Sequence, residues 1–174
     1  MGWFPFPTAP PTMAGVATVP TRLGEDGSVD SAIETFRSMM WEGIAPELRR
    51  IGFKGSGQSF SLPSDENWVL LGFQKMMSSN SQAVRFTVNV TAFPKQAWAE
   101  ERQARDFLPE RPSPNTWYGY NLWQRRIGHL LPDRQDHWWL VTPGRSTESV
   151  AGEVLDAIHT YVLPAIEAQL GAAE

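Results

Sequence analysis

The chain has 174 residues, of which 41% are hydrophobic and 20% charged, with a formal net charge of −4. That composition describes a folding globular chain rather than a disordered one, and the negative balance argues against nucleic acid or another polyanion as partner. Cysteine is absent, which removes disulfides, thiol nucleophiles and thiolate ligands from consideration.

Pro5, Pro7, Pro10, Pro11 and Pro20 break up the first 28 residues, and Gly24, Asp26, Gly27 and Ser28 follow them. Proline cannot donate to a backbone ladder, so residues 1–28 are expected to form a poorly ordered arm, with Trp3, Phe4 and Phe6 as anchoring side chains. Residues 29–174 are expected to form a single α+β domain. No apolar run approaches the ~20 residues of a membrane span. The N-terminus has no basic, apolar leader. The expectation is therefore a cytoplasmic protein with no membrane partner.

Ser31, or Asp30 before it, is placed to cap a first helix, and Glu34 completes a capping box with Ser31. Ile33, Phe36, Met40, Ile44, Leu48 and Ile51 recur at spacings of three and four, which is one apolar stripe. Pro46 must kink this helix. Gly52 is placed to end it, with Phe53 folding back.

Short and long strands are predicted next: Gln58 to Leu62, Trp68 to Met76, and Val84 to Phe93. In the last of these Val84, Phe86, Val88, Val90 and Ala92 alternate with Arg85, Thr87, Asn89 and Thr91, so one face is buried and one is polar. A short surface helix is expected over residues 95–107. A strand or strand pair is expected from Trp117 to Leu131, and a last strand from Asp136 to Thr142. Ser146 or Thr147 would cap a final helix with an apolar stripe of Val150, Val154, Ala157, Ile158, Tyr161, Val162, Ala165 and Leu170, kinked at Pro164. Grouped strands between two terminal helices indicate α+β: an antiparallel sheet of about five strands with both amphipathic helices on one face.

Several short strings appear in a characteristic order: Gly52-Phe53-Lys54 before Ser59-Phe60, Phe73-Gln74-Lys75, and Arg85-Phe86-Thr87-Val88-Asn89-Val90. Arg126-Ile127-Gly128-His129-Leu130-Leu131 and Trp138-Trp139 come later. Together, over about residues 30–170, they resemble the bacterial family known as domain of unknown function 4304. The resemblance implies a fold and no reaction. The arm and the Trp117–Trp123 stretch have no counterpart in it.

The residues carry no nucleophile elbow, no phosphate-binding loop and no dinucleotide fingerprint. His129, His137 and His159 lack the His-x-x-x-His spacing of a zinc helix, so no metal or cofactor is expected. Asp65-Glu66 and Glu100-Glu101 are adjacent pairs that diverge on any regular element. The informative positions are polar residues within apolar strands. If their strands are neighbours, Gln74, Asn89 and Arg126 converge on the sheet face away from the helices. Tyr118, Tyr120, Trp123 or Trp139 would wall that face; Tyr120 and Trp139 complete the set of ligand-binding candidates. Arg126 would offer a fork for a carboxylate or phosphate, or would pair with Asp136 or Glu66. His129 is three residues from Arg126 and falls on the opposite face of a regular strand unless Gly128 bulges.

Two functions fit. The first is a non-catalytic binding or protein-interaction domain that uses an aromatic-rich open sheet face against an unknown protein or a second copy of itself. The second is a small-molecule binder or enzyme with a polar pocket around Gln74, Asn89 and Arg126.

Overall fold

Ser31 caps the first helix as its sequence requires. Its hydroxyl accepts from the Glu34 backbone at 3.3 Å, and the Glu34 carboxylate accepts from the Ser31 backbone at 2.9 Å. Such a cap contributes about 1 kcal/mol. These contacts come from a computed structural model that describes residues 30–172; the proline-rich arm lies outside the described residues.

Helix α1 (Ala32–Ser38) runs through a π-helical stretch, Met39–Ile44, into α2 (Ala45–Arg50). The cause is Pro46, which stands in the first turn of α2 without a backbone donor. The chain answers by widening one turn, and the Ala45 N–H reaches back five residues to the Met40 carbonyl. Gly52 ends the helix at φ +99°. Its N–H bonds to the Arg49 carbonyl at 3.0 Å, and that of Phe53 to the Leu48 carbonyl at 2.9 Å. This is a Schellman closure with Phe53 buried as its apolar contact.

Strands β1 (Lys54–Ser56), β2 (Ser59–Leu62), β3 (Asn67–Lys75) and β4 (Val84–Pro94) follow as an antiparallel meander. After α3 (Lys95–Ala104) and a long loop come β5 (Gln124–Arg126), a 3-10 turn at Ile127–His129, and β6 (Trp139–Val141). The short β5 and β6 share the free edge of β4 end to end. Asn89, Val90 and Thr91 pair with Arg126, Arg125 and Gln124, while Val84, Arg85 and Phe86 pair with Val141, Leu140 and Trp139. The last helical run is α4 (Glu148–Ala157), a π-helical stretch at Ile158–Val162, and α5 (Leu163–Gly171). Pro164 repeats the effect of Pro46: the Leu163 N–H reaches back to the Ile158 carbonyl.

The terminal helices bury the even-numbered side of β4. Phe36, Met40, Ile44, Leu48, Val154, Ile158 and Ile166 meet Val84, Phe86, Val88, Val90 and Ala92 in one apolar cluster. Each such side chain contributes about 1.5–3 kcal/mol. A Cβ on Gly43 would stand 3.2 Å from that of Ala151, so the two helical runs pack closely.

Two expectations are corrected. Residues 117–131 hold only the three-residue β5, because the loop before it is satisfied by side chains instead of a ladder. The buried Gln124 amide accepts from the Tyr118 backbone at 2.9 Å and donates to the Thr116 carbonyl at 2.8 Å. The second face is also narrower than expected. Trp98 of α3, read as part of a surface helix, is buried against Phe93 and Tyr118, and Leu108 and Leu122 complete a smaller apolar cluster there. The Trp98 indole donates to the Glu110 carbonyl at 3.1 Å, which fixes the loop over that end of the sheet.

Candidate functional site

What remains of the second face is a polar cleft of about 470 Å³. Its floor comes from strand alternation. Gln74 pairs with Thr87 and Asn89 with Arg126, so all four project to the side away from the terminal helices. The expected convergence of Gln74, Asn89 and Arg126 is present, and all three line the cleft. Asn89 Nδ2 donates to Gln74 Oε1 at 2.8 Å and to Asn115 Oδ1 at 3.0 Å, forming a chain of three amides.

Asn115 reaches this chain from the loop after α3, and glycine explains how. Gly72 stands opposite Asn89 in the middle of β3. A Cβ there would collide with the Asn115 side chain and lie 2.9 Å from the Pro114 Cβ. A bare backbone lets the loop settle onto the sheet. Pro114, Thr116 and Trp117 then form one wall of the cleft.

His129 also lines the cleft, against strand parity. The chain leaves strand geometry after Arg126 and makes a 3-10 turn that carries His129 round to the same side. Gly128 permits it, since a Cβ there would collide with the Gln135 carbonyl and lie 2.7 Å from the His137 nitrogen. The residue expected to enable a bulge instead enables a turn.

Arg126 pairs with Asp136, as one of its expected partners. Its Nη1 lies 3.0 Å from both carboxylate oxygens. The Trp138 indole donates to the same carboxylate at 2.7 Å, and the Arg126 guanidinium lies 5.1 Å above the Trp138 ring. Partial burial alone would raise the Asp136 carboxyl, but the Trp138 and Arg126 hydrogen bonds and the nearby His129 outweigh it and hold the group below its usual range.

The other aromatic candidates lie elsewhere. Trp139 pairs with Phe86, stacks on it at 5.6 Å, and is buried on the helical side of the sheet. Its neighbour Trp138 is the half-buried ring beside Arg126. Tyr120 is fully exposed and does not line the cleft; it meets Trp117 edge to face at 5.3 Å. Tyr118 is buried under α3, and Trp123 packs on the main core beneath the Arg125 guanidinium.

Asn115 and Trp117 were not among the expected site residues; Gly72 in mid-strand was the available signal for both. A hollow of about 510 Å³ lies where α4 meets the first helical run, lined by Glu42, Gly43, Arg145 and Gly152. It adjoins Asp30, the first described residue. The cleft on the sheet holds the converging polar groups, and it is the better candidate. Among the described residues no three histidine, aspartate or glutamate side chains gather to hold a metal ion. No described helix is long and apolar enough to cross a membrane.

No curated protein and no solved structure matches the chain significantly. The family profile described as domain of unknown function (DUF4304) matches residues 44–168, from the last residue before α2 into α5, and so spans the whole sheet and its cleft. The resemblance carried by the Gly52-Phe53, Arg85–Val90 and Arg126–Leu131 strings is therefore real, and the chain belongs to the DUF4304 family.

Proposed function

We propose that this protein is a non-catalytic binding domain that receives its ligand in the cleft on the second sheet face, with Trp117 and Tyr120 as an aromatic rim. The observation that carries this reading is the amide chain Gln74–Asn89–Asn115. These three side chains sit half-buried or exposed at the cleft floor and hold one another's orientation. Among the described residues they are hydrogen-bonded to no other side chain. Preorganised polar groups beside an apolar wall, in a hollow of a few hundred Å³, describe a ligand site. Trp117 is 56% exposed and Tyr120 95% exposed, a large apolar area to leave uncovered beside a polar floor.

A catalytic reading has one observation in its favour, the turn that brings His129 into the lining. A general base is normally oriented by a hydrogen-bonded third group. The His129 imidazole makes no hydrogen bond among the described residues, which favours binding over catalysis.

The test is a fragment screen read by amide and indole resonances in two-dimensional NMR. Bound fragments are expected to shift the side-chain amides of Gln74, Asn89 and Asn115 together with the Trp117 indole. Trp117→Ala is expected to weaken them. Shifts confined to the helical side, or to the hollow beside Gly43, would contradict the reading.

A further inference from the structure

Resting on the cleft reading above, the hydrogen-bond inventory narrows the ligand further. Asn89 Nδ2 spends both hydrogens on the carbonyl oxygens of Gln74 and Asn115. The NH₂ groups of Gln74 and Asn115 have no hydrogen-bond partner among the described residues. Arg126 uses only Nη1 on Asp136, leaving Nη2 and Nε without a hydrogen bond there. Against these donors the chain of amides keeps acceptor capacity at Asn89 Oδ1 and one lone pair each on Gln74 Oε1 and Asn115 Oδ1. Among the described residues no aspartate or glutamate lines the cleft, while Arg125, Arg126 and His129 do.

Thr87 adds an independent observation. It is fully buried on the same side of the sheet, two residues from Asn89 and directly opposite Gln74. Its hydroxyl is the buried side-chain polar atom without a partner among the described residues. An orphaned polar group beside Gln74 marks this strip as polar beyond what the fold itself satisfies.

We infer that the cleft binds a small aromatic carboxylate. The carboxylate is received by the Arg126 fork and the Gln74 and Asn115 amides, and the ring lies against Trp117. A guanidinium with two free nitrogens suits a planar carboxylate. The volume suits a ligand of roughly one to two rings. The exposed Trp117 face offers stacking for an aromatic ring.

The experiment is calorimetric titration of the full chain with indole-3-acetate, its neutral analogue indole-3-acetamide, and phenyl phosphate, with side-chain amide resonances followed in parallel. The acid is expected to bind at least about tenfold tighter than the amide, the value of one charge-assisted hydrogen bond set. Arg126→Gln is expected to weaken the acid at least about tenfold and to weaken the amide less, so that the two affinities converge. Arg126→Lys, which keeps the charge and loses the fork, should fall between. If Arg126→Gln does not fold, Asn115→Ala, at an exposed position, takes its place and is expected to weaken the acid more than the amide. Equal affinity for acid and amide, with the Gln74 and Asn115 resonances shifting in both, would overturn the carboxylate assignment and leave the cleft standing. Tighter binding of phenyl phosphate would overturn it as well. If no probe moves any cleft resonance, the binding reading falls with it.

Discussion

The two faces of the central sheet are built from alternate residues of the same strands and are finished differently. Along β4, Val84, Phe86, Val88, Val90 and Ala92 vanish under the terminal helices, all with essentially no exposure. The intervening residues change character along the strand: Phe93 and Thr91 lie under α3 and its loop, Asn89 opens into the cleft, Thr87 is fully buried with its hydroxyl unpartnered among the described residues, and Arg85 is exposed. One side is apolar packing throughout. The other passes from apolar packing through a partly satisfied polar strip to solvent. Burial of that strip without a ligand would be costly, since each unsatisfied polar group costs about 1–3 kcal/mol. Exposing it in a cleft lowers that cost and leaves donors available. The difference teaches that stability and recognition are divided between the two sides of one strand.

Breaking the helical side should have the largest effect. Phe86 touches both Phe36 and Trp139, at 5.0 and 5.6 Å between ring centroids. Phe86→Ala is expected to cost about 3–5 kcal/mol in urea unfolding. A loss below about 1 kcal/mol would show that this side is not the core described. An intermediate effect is expected from Gly72→Ala. The added methyl collides with Asn115 and Pro114, and overpacking of this kind costs about 1–3 kcal/mol. The informative signature is local. Resonances of residues 113–118 should shift while those of α1 and α4 stay in place, and a shift spread evenly over both sides would count against the division.

The smallest effect belongs to the ion pair at the cleft's edge. The Asp136 carboxyl is held below its usual range in the folded chain. Its contribution is thus present above the unfolded value of about 4 and is lost as pH falls through the folded value. Asp136 is 47% exposed and Arg126 33% exposed, so solvent screening keeps this under about 1 kcal/mol. Urea midpoints at about pH 6 and about pH 3 should therefore differ slightly less for Asp136→Asn than for the parent chain. A larger pH dependence in the variant would reverse the assigned sign.

The sequence made some of this legible and hid the rest for physical reasons. The Ser31 cap, the Gly52 stop and the alternation of β4 are local, and each follows from neighbouring residues alone. Gln74, Asn89 and Arg126 could be placed on one side because parity needs only that their strands be neighbours. Asn115 and Trp117 arrive through a long loop whose path depends on a bare Gly72 and on the Gln124 amide, two contacts between residues remote in sequence. Parity does not place His129, because a 3-10 turn at Gly128 replaces the strand. The pair Trp138-Trp139 is aromatic at both positions, so periodicity does not decide which ring is buried; the pairing of Trp139 with Phe86 decides it.

Val88 and Asn89 are adjacent on β4 and project to opposite sides, so their alanine variants compare the two faces with everything else held constant. Side-by-side urea unfolding is expected to show a loss of about 2 kcal/mol for Val88→Ala. For Asn89→Ala it should show less than about 1 kcal/mol, because the Gln74 and Asn115 carbonyls it releases stand where water can reach them. If Asn89→Ala costs as much as Val88→Ala, the amide chain is part of what holds the fold together, and the cleft is not a surface set aside for a ligand.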